Sequence, residues 1–465
     1  MLETLEWLEG PELVIAFQRL CGIIPCPAKN AKQNGVANGS ANANGKANGF
    51  MNGDAKHYLQ NGDAGGHGDY TNGHAYRLRS RTVETSTETD GTLNGDPVSQ
   101  ELTEDSAEDS ESSTSGSEIE DANGKELTTY DVTNSFLYYL FCFGANLGNE
   151  VFYCAFFPFW LWNVDGFVGR RVCYIWCAIM YFGQAAKDLI RWPRPASPPV
   201  VRMEKRYELE YGMPSTHAMV GAAVPFSLLV FTWNRYEYEH VIALALATAW
   251  CTLVCLSRLY LGMHTVLDII AGLLFAGLIL GIMHPLLDTL DTFILSHPYS
   301  PAAVIVVSLA MCIFYPTLDK WSTARGDTTM ILAVGVGVCL ASWVNFQWEI
   351  YQVTTDLPPY GIKIPNAEYF GTMMLRTMLG IVILIATRTV MKALTYHMLC
   401  YIFGYKKENR SLQHLIVELP YKYITYTMVA FNVGRLFSSQ CYQFKHCVFA
   451  YTSMELEISN LNKNL

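Results

Sequence analysis

The chain has 465 residues, of which 51% are hydrophobic and 16% charged, and its formal net charge is −10. Polar low-complexity sequence lies almost entirely before residue 130 and long apolar runs follow it, which is typical of a polytopic membrane protein rather than a nucleic-acid-binding one. The 13 cysteines show neither zinc spacing nor a disulfide framework.

The first part of the chain divides into two segments. Residues 1–27 lack the cationic leader of a secretory signal, and their apolar stretch PELVIAFQRLCGI allows an amphipathic helix on a membrane surface. Residues 28–128 are rich in Asn and Gly and then acidic. We predict that this tail is disordered, because too few large apolar side chains are present to offset the entropy of ordering.

Apolar runs follow at 135–162, 172–190, 216–234, 241–257, 265–284, 301–317, 330–346 and 369–387. Most approach the about 20 residues that a helix needs to cross about 30 Å of hydrocarbon. The first run is interrupted by Asn146, Asn149 and Glu150, so it is either one tilted helix or a re-entrant hairpin. The sequence predicts an all-α polytopic membrane protein, with about 8 to 10 transmembrane helices in residues 130–433 and a polar tail at 434–465.

Residues suited to binding phosphate lie between the second and fifth runs. They are Lys187 and Arg194 in KDLIRWPRP, Ser215 and His217 in PSTH, and Arg258, His264 and Asp268 in SRLYLGMHTVLD. Because successive helices alternate in direction, all of them fall at one membrane face. A single cation or histidine there is typical of an interfacial anchor or a core residue, whereas the ordered set of charges close to hydrocarbon indicates a site.

The spacing of these residues suggests separate roles. His264 and Asp268 are four residues apart at a helix start, so the carboxylate can orient the imidazole and leave its other nitrogen as a nucleophile. His217 can protonate a departing alkoxide, and Ser215 can add neutral donors at a helix N-terminus. Three cations can surround the oxygens of a transferring phosphoryl group, namely Lys187, Arg194 and Arg258.

The three motifs, KxxxxxxRP, PSxH and SRxxxxxHxxxD in this order, resemble those of the type-2 phosphatidate phosphatase superfamily of lipid phosphate phosphatases. RWPRPASPP and PSTH, with Thr216, look like the sphingosine-1-phosphate phosphatases of the endoplasmic reticulum. The resemblance implies the superfamily's core helical bundle, a lipid phosphate substrate, and neither metal nor other cofactor. It also implies a phosphohistidine on His264, general acid catalysis by His217, orientation by Asp268, and phosphate contacts by Lys187, Arg194, Ser215 and Arg258.

A further motif, WSTARGDT, follows the sixth run and by the same alternation lies at the catalytic face. We hypothesise that Asp327 meets the ammonium of a sphingoid base while Arg325 adds to the phosphate field. The alternative is an ion pair in a solvated loop. Arg376 lies within an apolar run, so we expect it to face the bundle interior or water.

Two criteria place the catalytic face on opposite sides of the membrane. A count of basic residues would place the catalytic face in the cytoplasm, whereas the resemblance implies the lumen, which we favour because phosphate itself requires part of that charge. Two other functions stay open: a same-superfamily phosphatase for another lipid or isoprenoid (di)phosphate, and an inactive lipid-binding scaffold. The intact motif set argues against the scaffold. The sequence fixes neither the exact lipid nor the oligomeric state.

Overall fold

Helices make up most of the chain that the computed structural model describes, which comprises residues 2–25, 130–204, 210–316, 323–348, 358–362, 366–404 and 415–436. The helices are α1 (Leu2–Glu9), α2 (Glu12–Leu20), α3 (Ser135–Asn146), α4 (Glu150–Asn163), α5 (Gly166–Ile190), α6 (Thr216–Thr232), α7 (His240–Tyr260), α8 (Val266–Ser296), α9 (Ser300–Ile313), α10 (Ala324–Gln347), α11 (Ala367–Phe403) and α12 (Leu415–Leu436). The predicted disordered tail at 28–128 and nearly all of the predicted tail at 434–465 lie outside the described residues.

Short strands form two pairs among the described residues. Strand β1 (Ile23–Pro25) is antiparallel to β2 (Tyr130–Val132), and β3 (Tyr236–Glu237) is parallel to β4 (Tyr360–Gly361). The first pair joins the segment that follows α2 to the segment that precedes α3.

Several described helices are suited to a membrane. Helices α7, α8, α10 and α11 are long and apolar enough to cross one, and the pair α3 and α4 makes a fifth span if it counts as one broken helix. Helices also lie at the other predicted runs, but α6 and α9 are shorter. The prediction of a helical membrane protein is confirmed, whereas the number of 8 to 10 spans stays a prediction.

The first predicted run is broken rather than continuous. Helix α3 ends at Asn146 and α4 begins at Glu150, and the two are bent by 64°. The break has its own hydrogen bonds: the Tyr153 hydroxyl donates to the carbonyl of Leu147 at 2.9 Å, which satisfies a carbonyl that the helix leaves open.

Helix α5 begins at Gly166, earlier than the predicted start at 172, because its first turns hold buried arginines. Arg170 makes two contacts of 2.9 Å with Asp291 of α8, and Arg171 contacts both Asp291 and Asp288. These carboxylates lie in a part of α8 that continues past the predicted end of the fifth run. Charge pairing therefore extends both helices beyond their apolar runs.

Helix α5 is central in the bundle, where it packs against α4, α6, α8 and α10. Buried aliphatic side chains such as Ile175 and Ile179 fill this core together with residues of α6 and α8. Gly183 allows the close approach of α6, because a Cβ there would lie 2.9 Å from Met219 Sδ. This contact brings the C-terminal end of α5 next to the N-terminal end of α6.

The N-terminal segment packs against the bundle. Val14 of α2 is fully buried, and Gln18 is 3% exposed. The Gln18 amide donates to the carbonyls of Val201 and Tyr260 at 2.7 and 2.9 Å and accepts from the Val201 N–H at 3.1 Å. Both amide hydrogens and one oxygen lone pair of this side chain therefore join α2 to the loop after α5 and to the end of α7.

Candidate active site

The phosphate-binding motifs converge on one cavity at the end of the bundle. Its lining includes Lys187 from the last turn of α5, His217 from the first turn of α6, and Arg258 from the last turn of α7. Arg194 and His264, from the loops after α5 and α7, complete this part of the wall. The alternation of helix directions thus brings together residues separated by up to 77 positions, from 187 to 264.

His264 lies with its two ring nitrogens in different surroundings. Its Nε2 is 3.3 Å from Arg194 Nη1, and its Nδ1 is 3.5 Å from Asp268 Oδ2. Because a guanidinium only donates, Nε2 must accept and carry the lone pair, and the proton is then on Nδ1, facing the carboxylate. The contacts thus assign the tautomer in which Nε2 can be a nucleophile.

Hydrogen bonds with Thr265 fix the position of Asp268. Its Oδ2 accepts the Thr265 N–H at 2.9 Å and the Thr265 hydroxyl accepts the Asp268 N–H at 3.2 Å, which forms a capping box at the start of α8. The 3.5 Å separation from His264 is longer than a hydrogen bond. Within the described residues neither His264 Nδ1 nor Asp268 Oδ1 has a hydrogen-bond partner, so a small rotation would join the two groups.

The surroundings of His264 keep its imidazole neutral. Burial lowers the pKa of this histidine well below its usual value of 6.5, and the nearby charges of Arg194, Lys187 and Arg258 lower it further. At neutral pH the ring therefore has the lone pair that attack on phosphorus requires.

Two carboxylates that the sequence analysis did not single out contact the three cations. Glu210 Oε2 is 3.1 Å from Lys187 Nζ and 3.9 Å from Arg194 Nη2, and Glu204 makes two contacts of 3.1 Å with Arg258. Burial alone would raise the pKa of Glu210, but Lys187 and Arg194 outweigh it and lower the pKa. Burial also lowers the pKa of Arg194, to about 10, so its guanidinium stays charged at neutral pH.

Ser215 and His217 have different positions at the start of α6. Ser215 is the N-cap: its hydroxyl accepts from the Ala218 N–H, and its own N–H donates to the carbonyl of Asp268 at 3.1 Å. It therefore ties α6 to α8, and its predicted contact with phosphate stays a prediction. His217 lines the cavity, and its Nε2 is 3.1 Å from Asn149 Oδ1.

The two residues predicted to meet the substrate headgroup lie apart. Asp327 lines the cavity and is 3.5 Å from Lys422 Nζ of α12. Arg325 instead directs Nη2 to the carbonyls of Cys312 and Ile313, at 3.3 and 3.4 Å, where α9 ends. Arg376 faces the bundle interior, as expected, and donates to the carbonyl of Trp162 at 2.7 Å.

Comparisons with known proteins assign the chain to a family. A family model described as the PAP2 superfamily matches residues 169–291, which include all three motifs. Sphingosine-1-phosphate phosphatase 1 of Rattus norvegicus is 46% identical over 67% of this chain and 73% of its own length. Sphingosine-1-phosphate phosphatase 2 of Homo sapiens is 36% identical over 92% of this chain and 96% of its own length. The chain belongs to the sphingosine-1-phosphate phosphatase family.

Membership of the sphingosine-1-phosphate phosphatase family confirms the resemblance inferred from the motifs and makes the chain an enzyme, a phosphatase. A more distant relative, lipid phosphate phosphatase delta of Arabidopsis thaliana, is 29% identical over 52% of this chain and 59% of its own length. No solved structure matches the chain significantly.

The PAP2 match also separates two groups of predicted residues. All seven motif residues lie within 169–291, whereas Arg325 and Asp327 lie beyond it, as does Asn149 on the other side. Among the residues that the structure describes, no three His, Cys, Asp or Glu side chains form a group suited to a metal ion.

Proposed function

We propose that the chain hydrolyses sphingosine-1-phosphate and related sphingoid-base phosphates to the base and inorganic phosphate, without a metal cofactor. The observation that carries this proposal is the neutral, oriented His264, whose Nε2 lies 3.3 Å from Arg194 in a cavity that Lys187 and Arg258 also line. The names of the two mammalian relatives support the substrate class.

In the first step, the lone pair of His264 Nε2 attacks phosphorus in line with the ester oxygen. The electrons of the breaking P–O bond pass to that oxygen, which takes a proton from the imidazolium of His217 and leaves as the free base. In the second step, neutral His217 takes a proton from water as the water oxygen attacks the phosphohistidine. The electrons of the P–N bond return to Nε2, and phosphate is released.

The cations act on the charge of the transferring group. Lys187, Arg194 and Arg258 can contact its non-bridging oxygens and stabilise the transition state. Glu204 and Glu210 contact the same cations, so a phosphate monoester has to displace these carboxylates or share the cations with them. That exchange is possible because both carboxylates come from the loop between α5 and α6 rather than from a helix.

Asp327 is the residue we propose for the ammonium of the sphingoid base. It lines the same cavity as the cations and belongs to the first turn of α10. Its contact with Lys422 is at 3.5 Å, which is at the limit of a hydrogen bond, so a substrate ammonium can compete for the carboxylate.

We also propose that the enzyme is a multi-pass protein of the endoplasmic reticulum membrane, with the cavity facing the lumen. The resemblance of RWPRPASPP and PSTH to the phosphatases of that membrane supports this location. Protease protection of a tag placed at residue 60 tests the orientation, because that residue is on the side of the cavity if the first apolar run crosses the membrane once.

The central experiment measures phosphate release by the purified chain, with and without EDTA, from sphingosine-1-phosphate, lysophosphatidate and an isoprenyl diphosphate. We expect EDTA to have no effect and His264→Ala to lose about 10³-fold or more of kcat. The matched control is His284→Ala, because His284 stacks on Phe231 away from the cavity and should not affect turnover. Loss of activity in EDTA, or an active His264→Ala enzyme, would contradict the mechanism.

The same substrates test Asp327. Asp327→Asn should lower activity on sphingosine-1-phosphate more than on lysophosphatidate, which has no ammonium. Equal losses on both substrates would show that Asp327 does not select the headgroup.

A further inference from the structure

The break between α3 and α4, residues 147–149, packs against His217, the proposed general acid. The sequence singles out Asn146, Asn149 and Glu150 only as an interruption of an apolar run. In the structure, Gly148, Glu150 and His217 all line the cavity. The break therefore belongs to the wall of the active site rather than to the lipid-facing surface.

Asn149 makes a directed contact with the ring of His217. Its Oδ1 is 3.1 Å from His217 Nε2, and its Nδ2 is 3.0 Å from Asn146 Oδ1. The second contact orients the amide: with Nδ2 donating to Asn146, the oxygen of Asn149 faces the ring. An amide oxygen only accepts, so His217 Nε2 carries a hydrogen.

Gly148 covers the same edge of the imidazole. A Cβ at this position would lie 2.5 Å from His217 Cδ2 and 3.2 Å from its Cγ, so no side chain fits without moving the ring. Cδ2 and Nε2 form one edge of imidazole, and Nδ1 and Cε1 form the other. The break thus holds one edge and leaves Nδ1 on the opposite side.

We propose that Asn149 is a positioning residue for His217: it accepts the Nε2–H, and the proton delivered to the leaving group is the one on Nδ1. This inference rests on the proposed function. During ester cleavage, the P–O electron pair passes to the ester oxygen, that oxygen takes the Nδ1 proton, and His217 becomes neutral with its Nε2–H still bonded to Asn149.

The charges around His217 explain why such an acceptor is needed. The charged or titratable groups that line the same cavity are Lys187, Arg194, Arg258, His264, Glu150, Glu210 and Asp327. Nearby cations oppose a positive charge on the imidazole. A hydrogen-bond acceptor on Nε2 favours the charged form and so offsets part of that repulsion.

The test compares two leaving groups. Purified full-length wild type, Asn149→Ala, Gly148→Ala and His217→Ala are assayed on sphingosine-1-phosphate, whose alkoxide needs a proton, and on 4-nitrophenyl phosphate, whose phenolate does not. We expect Asn149→Ala to lower kcat about 10-fold to 100-fold on the alkyl phosphate and less than about 3-fold on the aryl phosphate. Gly148→Ala and His217→Ala should show the same pattern.

A second readout is the pH profile of Asn149→Asp. This variant keeps an acceptor oxygen and adds a negative charge that favours the imidazolium, so the alkaline limb of kcat should move to higher pH. Asn134→Ala is the matched control, because Asn134 caps the other end of α3 through the Leu137 N–H. It weakens the same helix without contact to His217 and should change neither leaving-group dependence nor pH profile.

The outcomes separate this inference from the proposed function. An active His264→Ala enzyme would overturn both. If His264→Ala is inactive and Asn149→Ala lowers turnover of both substrates equally, or of neither, then the phosphatase assignment stands and the role of Asn149 is wrong. An unchanged alkaline limb in Asn149→Asp would also overturn it.

Discussion

Arg170 at one end of the bundle and Arg258 at the other are each 1% exposed, and each makes two contacts with one carboxylate. The partner of Arg170 is Asp291 of α8, whose side chain is 2% exposed, whereas the partner of Arg258 is Glu204 of a loop, whose side chain is 21% exposed. The first pair joins two helices, and the second faces the cavity. An arginine–carboxylate pair therefore stabilises the fold at one end of the bundle. At the other end the carboxylate of such a pair can be displaced by a substrate phosphate.

The largest effect we expect comes from breaking the pair that supports the fold. Asp291→Ala leaves Arg170 buried without its carboxylate, so the free energy of unfolding should fall by about 3–5 kcal/mol. Measured in detergent by thermal or denaturant unfolding, the loss should exceed that of Asp288→Ala, because Asp288 is 66% exposed and its pair is worth about 1 kcal/mol or less. Equal losses of stability in the two variants would show that the buried Arg170–Asp291 pair does not support the fold more than an exposed pair does.

The next effect concerns the pair at the cavity. Arg258→Gln should lower kcat/KM for sphingosine-1-phosphate by about 10²-fold or more, because a cation directed at the phosphoryl oxygens is lost. Stability should change little, because Glu204 can turn towards solvent. The matched control is Arg388→Gln, since Arg388 contacts Tyr426 on α12 and not the cavity. If Arg258→Gln unfolds as readily as Asp291→Ala, then Arg258 is a structural residue.

The smallest effect is a shift in pH dependence. On the acid side, activity needs neutral His264, whose pKa is well below 6.5, so the acid limb of kcat/KM should lie at that lowered value. Arg258 is one of the cations that lower this pKa, so Arg258→Gln should move the acid limb to higher pH. A pH–rate profile of wild type, Arg258→Gln and Arg388→Gln measures the shift, and an unmoved limb would mean that another group limits activity in acid.

The apolar runs and three motifs were sufficient to predict helices α3 to α11 and the convergence of the motif residues, whereas α12 lies at none of the predicted runs. Helix ends were predicted less well, because hydropathy falls where charges are paired across helices. α5 begins before Arg170 and α8 continues past Asp291 for this reason. Likewise α11 runs through Arg388 to Phe403, past the end of the last predicted run at 387.

The partners of the site residues could not be predicted from the sequence. Glu204, Glu210 and Asn149 have no helical periodicity that marks them, and only the folded chain brings them to the cations and to His217. The different positions of Arg325 and Asp327, by contrast, follow from helix geometry. Two residues apart on a helix are about 200° apart around its axis, so once α10 begins at Ala324 they cannot both face the cavity.

The hydrogen bonds of Gln18 change how this chain should be shortened. Gln18 holds Val201 in the loop beside Arg258, and Pro25 pairs with Tyr130, so the two residues that flank the long polar segment lie side by side. In topological terms, residues 26–129 are an insertion within a β-hairpin and not an N-terminal extension. Deleting everything before residue 130 would remove the Gln18 side chain that bonds to Val201 and Tyr260. Excising the insertion and closing the hairpin with a short turn would leave that support in place.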